Sequence, residues 1–164
     1  MKYSFVAAAL FAAAMAAPLK PRAIFSTSTY NDLSISGGVA GNAEAEALAV
    51  LAGLPTDLTT VEKADLDFLN SVNQIANDAE SEAFNPAIDA ATGEEADALQ
   101  RGKIKNKVLK LEATVLKLQA QAAQGQNVAS KLATEQKKLA KNIATDVESA
   151  GLASTALQFD ATTA

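Results

Sequence analysis

The stretch Lys103–Ala122, KIKNKVLKLEATVLKLQAQA, limits the fold more than any other part of the chain. Ile104, Val108, Leu111, Val115, Leu118 and Ala122 recur in steps of four and three, which traces one seam along an α-helix. Leu109 and Leu116 widen the seam on one side, and Lys103, Lys107, Lys110 and Lys117 form a basic flank on the other. A stripe of this length must be covered by further helices. The flank needs counter-charge, in a chain whose net charge is −5.

The rest of the sequence offers such helices. A first is expected from about Gly38 to Ala52, stopped by Gly53. A second follows the capping-box spacing of Thr59 and Glu62, carrying Val61, Leu66, Phe68, Leu69, Val72, Ile75 and Ala79. It is expected to end near Phe84, because Pro86 disfavours a helical Asn85. Thr92 and Glu95 repeat the box and open a third helix, Gly93 to Gln124. Within it Gly102 costs about 1 kcal/mol relative to Ala and marks a bend or a close contact. Gly125 separates a fourth helix, Gln126 to Ala150, with Gly151 as its stop.

The expected fold is therefore all-α, an antiparallel helical bundle of about four helices over residues 36–151. An extended arm, 18–35, precedes it and a short tail, 152–164, follows. Inward-facing Ala is plentiful, which lets helices approach closely. A two-stranded coiled coil is the alternative for the third and fourth helices, but the short Gly125 hinge favours a hairpin.

Residues 1–17 read as a secretory signal peptide. Lys2 supplies the positive start, Val6–Ala17 an apolar run too short to span a bilayer, and Ala14–Ala17 small residues at cleavage spacing. Lys20-Pro21-Arg22 is a weaker processing site, making 18–22 a candidate propeptide. No later stretch approaches membrane-spanning length, so no transmembrane span is expected in a mature, extracellular protein. Cysteine is absent, so such a secreted domain would rest on helix packing alone.

Charge is divided along the chain. Asp32 to Asp97 holds 14 acidic residues against Lys63, whereas Arg101 to Lys141 holds ten basic residues against Glu112 and Glu135. Such a split suits an anionic partner, but the acidic half can also neutralise the basic half internally. Packing the acidic second helix on the basic third is the favoured expectation. No aromatic residues interleave the lysines, so nucleic acid is not an expected partner.

Chemistry is hard to place on this chain. With no His and no Cys, zinc sites and Ser or Cys hydrolase triads lack their components. Glu94-Glu95 and the Asp78–Glu82 carboxylates read as solvated helix faces rather than an acid–base pair. Asp65 and Asp67 lack the Gly of a calcium loop. Gly37-Gly38-Val39-Ala40-Gly41 lacks the spacing of a phosphate-binding loop and is expected to be a turn into a helix. No catalytic residue, cofactor or metal is expected.

The runs YNDLSISGGVAGNA (Tyr30–Ala43), NPAIDAA (Asn85–Ala91) and KIKNKVLK (Lys103–Lys110) resemble the small secreted proteins of filamentous ascomycete fungi, over nearly the whole mature chain. In architecture the chain is also similar to fungal hydrophobic surface-binding and cell-wall mannoproteins, which bind hydrophobic surfaces or lipids. The first resemblance implies secretion and carries no catalytic residues. Together they lead to the expectation of a secreted, non-enzymatic helical protein, effector-like or cell-wall associated, whose partner is a host or cell-wall component. One alternative is a carrier of lipid or a binder of hydrophobic surfaces. Another is attachment to anionic polymers through the interaction face Lys103, Lys107, Lys110 and Lys117.

Overall fold

A computed structural model describes residues 22–164. The expected signal peptide and most of the Lys20-Pro21-Arg22 site lie outside the described residues. The fold is all-α. A single turn α1 (Tyr30–Leu33) is followed by α2 (Ala43–Val50), α3 (Lys63–Ala79), α4 (Asn85–Ala90), α5 (Gly93–Ala123) and α6 (Ala129–Glu148).

Helix α5 is the central strut, and α2, α3 and α6 all pack on it. Side-chain pairs fix the directions. Asn73 meets Thr114 and Asn70 meets Lys117, so α3 runs antiparallel to α5. The Gly125 turn brings α6 back along the same strut, with Gly125 at φ +83°. Val108, Leu111, Val115 and Leu118 of the seam are buried as the periodicity predicts, and the first three share one core with Phe68, Leu69, Val72 and Ile75 of α3. Ile104 is half-buried, and Ala122, next in the seam, is exposed.

The burial of α5 goes well beyond a seam. With neighbours on several sides it also buries Lys105, Asn106 and Glu112. A buried polar group needs a partner, and two of the three have one. The Asn106 amide donates to the Ala76 carbonyl at 2.8 Å and accepts from the Tyr30 hydroxyl at 2.9 Å. The Lys105 ammonium donates to the carbonyls of Gly37 (2.7 Å) and Val39 (3.1 Å) and pairs with Glu46 at 2.8 Å. Lysine thus locks the loop before α2 onto the strut.

Several helix ends differ from expectation, each for a local reason. Helix α2 starts at Ala43 rather than Gly38, because Gly38 and Gly41 have φ of +77° and +111°, outside the helical region. Its cap comes from α6 instead: the Asp146 carboxylate accepts from the N–H groups of Gly41 and Ala43, both at 2.9 Å. Thr59 is not a capping-box residue. It lies in a 3₁₀ turn, Leu58–Thr60, held by Asp57, and α3 begins after Glu62 without a side-chain cap. Thr92 precedes α5 but makes no cap bond either, since Gly93 enters at φ +60°.

The expected stop at Phe84 is also corrected. Asn85 is helical, with φ −59° and ψ −51°, because a π-helical turn over Glu80–Phe84 widens the helix ahead of Pro86. A wider turn makes room for the proline ring and for its missing N–H, so α3 passes into α4 unbroken. Phe84 is driven fully inside and lies over Gly102 of α5.

Neither the arm nor the tail hangs free among the described residues. Tyr30, Leu33 and Ile35 are buried, and Phe25 stacks on Phe68 with ring centroids 4.5 Å apart. The buried Asp65 carboxylate accepts from the N–H groups of Ile24 (2.7 Å) and Phe25 (3.0 Å), pinning the arm to α3. The tail runs back beside the arm. Tyr30 N–H donates to Ala161, Thr163 N–H to Ser28, and Thr155 N–H to Ala98 of α5. Phe159 meets Tyr30 edge to face at 5.7 Å. Gly102 permits this crossing, because a Cβ there would lie 2.0 Å from the Thr155 carbonyl oxygen.

Candidate functional site

Helices α3 and α6 both lie on α5, and a polar trough opens between them. It consists of three depressions of about 390, 210 and 410 Å³ that run into one another. The first two share Asn73 and Glu135; the second and third share Asn70 and Lys117. Lys107 and Gln124 lie near its ends on α5, so the trough is about 25 Å long at 1.5 Å of rise per residue.

Helical spacing builds each wall. Asn70, Asn73 and Asn77 stand three and four residues apart on α3, on the edge of its apolar face. Lys107, Lys110, Thr114 and Lys117 do the same on α5 and form the floor. Lys131, Glu135, Lys138 and Asn142 supply the α6 side. Among the described residues no aromatic side chain lines any of the three depressions.

The structure brings Lys107, Lys110 and Lys117 into the trough, whereas Lys103, half-exposed one turn earlier on α5, is not part of its lining. Their surroundings differ. Lys107 and Lys110 share the Glu80 carboxylate at 3.1 and 2.6 Å. Burial pushes the Glu80 carboxyl up, but the Lys110 and Lys107 ammoniums together outweigh it and hold it below its ordinary 4.5. Lys138 pairs with Glu135 at 2.9 Å.

Lys117 has no such carboxylate. Its ammonium donates to the Asn70 amide oxygen at 2.7 Å, and it lines the middle depression together with Lys131. Among the described residues neither Lys117 nor Lys131 forms an ion pair. Burial and the Lys131 charge push the Lys117 pKa below its ordinary 10.5, against an upward pull from Asp67. The acidic half of the chain therefore covers the middle of the basic flank, at Lys107 and Lys110, and leaves Lys117 at its end without an ion pair among the described residues. Five lysines and two glutamates line the first two depressions.

Lys131, Lys138 and the three asparagines were not singled out by sequence reasoning. Their signal was present: amides at i, i+3 and i+7 beside an apolar helical face, which a search for charged residues passes over. No group of three or more Asp, Glu, His or Cys side chains that could hold a metal occurs among the described residues.

The described residues thus form an all-α, antiparallel helical bundle with an open, amide-lined and lysine-bearing trough. The chain belongs to the family described as "Domain of unknown function (DUF8454)", whose pattern it matches over residues 25–158. That span covers α1 to α6 and the first part of the tail. No curated protein matches the chain, and no solved structure matches it.

Proposed function

We propose that the protein is a secreted, non-enzymatic helical protein that acts through its surface, attaching to anionic polymers by the lysines of its α5–α6 trough. The observation that carries this reading is the pair Lys117 and Lys131, two ammoniums in one depression that form no ion pair among the described residues, the Glu135 carboxylate there being paired with Lys138. An anion between them would relieve their mutual repulsion and gain two charge-assisted hydrogen bonds. The carrier alternative draws less support, since Phe68, Leu69, Val72, Val108, Leu109 and Val115 fill the space between α3 and α5. Cell-wall association and a host-facing role are both compatible with attachment of this kind.

Co-sedimentation with insoluble anionic polymers over a salt series tests the proposal. Binding is expected at low ionic strength and is expected to fall steeply as salt screens the lysines. Changing Lys107, Lys110 and Lys117 together to Glu is expected to abolish it. Equal retention of the parent and the triple variant would refute the assignment, as would retention indifferent to salt. Detection of the native protein in the culture fluid of its producing cells tests the secretion half separately.

A further inference from the structure

We infer that the trough is a cleft for an acidic polysaccharide, whose charged groups meet Lys117 and Lys131 and whose hydroxyls meet the amides of Asn70 and Asn73. The inference deepens the anionic-polymer proposal and rests on it. Its first support is shape: a trough about 25 Å long and open at the surface suits an extended chain of several residues, rather than a compact ion.

The second support is hydrogen-bond accounting. Asn70 and Asn77 present amide oxygens that now accept from the Lys117 and Lys110 ammoniums, at 2.7 and 3.3 Å. When an ammonium turns to a ligand anion, the amide oxygen it leaves can take a new donor. A sugar hydroxyl supplies one, while phosphate oxygens of a bare polyphosphate only accept. The Asn73 amide, which donates to the Thr114 hydroxyl at 2.8 Å, adds a group that can both donate and accept.

The third support is what the lining lacks. Nucleic-acid grooves offer aromatic platforms for bases and favour arginine for phosphate; among the described residues the lining of this trough has neither, and its cations are all lysines.

The test compares four soluble polymers by titration calorimetry against the full chain lacking residues 1–17. They are polygalacturonate, its fully methyl-esterified form, inorganic polyphosphate and duplex DNA. Polygalacturonate is expected to bind tightest. Esterification keeps the hydroxyls and removes the charge, and is expected to weaken binding at least about tenfold. Lys131→Glu, on the exposed side of α6, is expected to weaken polygalacturonate binding by about tenfold without disturbing the fold. The double change Asn70→Ala with Asn73→Ala is expected to weaken polygalacturonate severalfold and to leave polyphosphate unchanged, with circular dichroism confirming the helices. Polyphosphate or DNA binding as tightly as polygalacturonate, or the asparagine changes weakening both polymers equally, overturns the glycan inference but leaves attachment to anionic polymers standing. Failure of every anionic polymer to bind at low salt overturns both.

Discussion

Glu112 is a carboxylate buried in the central helix, and among the described residues it makes no hydrogen bond or ion pair. Burial first, and the Glu44 charge second, push its carboxyl above its ordinary 4.5. Folding therefore takes up a proton. The stabilisation is fully present below the ordinary value and is lost as pH rises through the raised folded one. Glu80 works in the opposite sense: its depressed pKa contributes stability above the ordinary value that is lost as pH falls through the folded one. Glu112→Gln is expected to stabilise the protein at neutral pH by on the order of 1 kcal/mol, and the gain is expected to vanish towards about pH 4. Urea midpoints of parent and variant across that range check this; a constant difference would mean that the carboxyl is hydrated.

At this scale the sequence was legible where one helix sufficed and opaque where two segments met. Val108, Leu111, Val115 and Leu118 announce their burial by spacing. Lys105 does not, because nothing near it in sequence reveals that the carbonyls of Gly37 and Val39 will come to meet it. Among six basic residues between Arg101 and Lys117 it looks like a further solvated charge. The same reason hid the middle of the trough: Lys117 and Lys131 become neighbours only after the Gly125 hairpin closes.

Among the elements, α5 and α6 contrast. Helix α5 is enclosed, whereas α6 buries Leu139 and Asp146 and leaves most of its residues in water. The end of α6 is held by a polar device, the Asp146 cap on α2, which hydrophobic periodicity could not have shown. The π turn was equally hidden. Pro86 signals a break in a regular helix, and the signal is sound for α geometry; a single wider turn evades it. Gly102, by contrast, was readable as an anomaly in α5, and the structure supplies the partners: Phe84 and the Thr155 carbonyl. Gly102→Ala is expected to lose about 1–3 kcal/mol, because the displaced tail outweighs the roughly 1 kcal/mol gained in helix propensity. Thermal and urea unfolding check the sign. A stabilised variant would mean that the tail yields at no cost.

For the whole molecule, the four longer helices and their antiparallel hairpin geometry followed from periodicity and glycine placement, while the short α1 and α4 and the role of the ends did not. The arm and the tail are short of periodic signal, yet they supply Tyr30, Leu33 and Ile35 to the core and a row of backbone hydrogen bonds to each other. Ending the chain at Gly151 is expected to uncover Tyr30 and the Ala98 carbonyl and to cost about 2–4 kcal/mol, lowering Tm by roughly 10 °C. Circular dichroism melts measure this. An unchanged Tm would mean that residues 152–164 only rest on the bundle.

The bond from Ser28 N–H to the Thr163 hydroxyl, at 2.9 Å, places two residues 135 positions apart side by side. The path of the backbone is therefore almost a closed ring, with α6 reached from either direction. A polypeptide reordered to begin at Gln126, with Ala164 spliced through a short linker to the arm, could retrace the same architecture from a different starting point. For protein engineering this means that the Gly125 turn, at the far end of the hairpin, can serve as a new pair of ends, freeing the existing seam between arm and tail to become continuous chain.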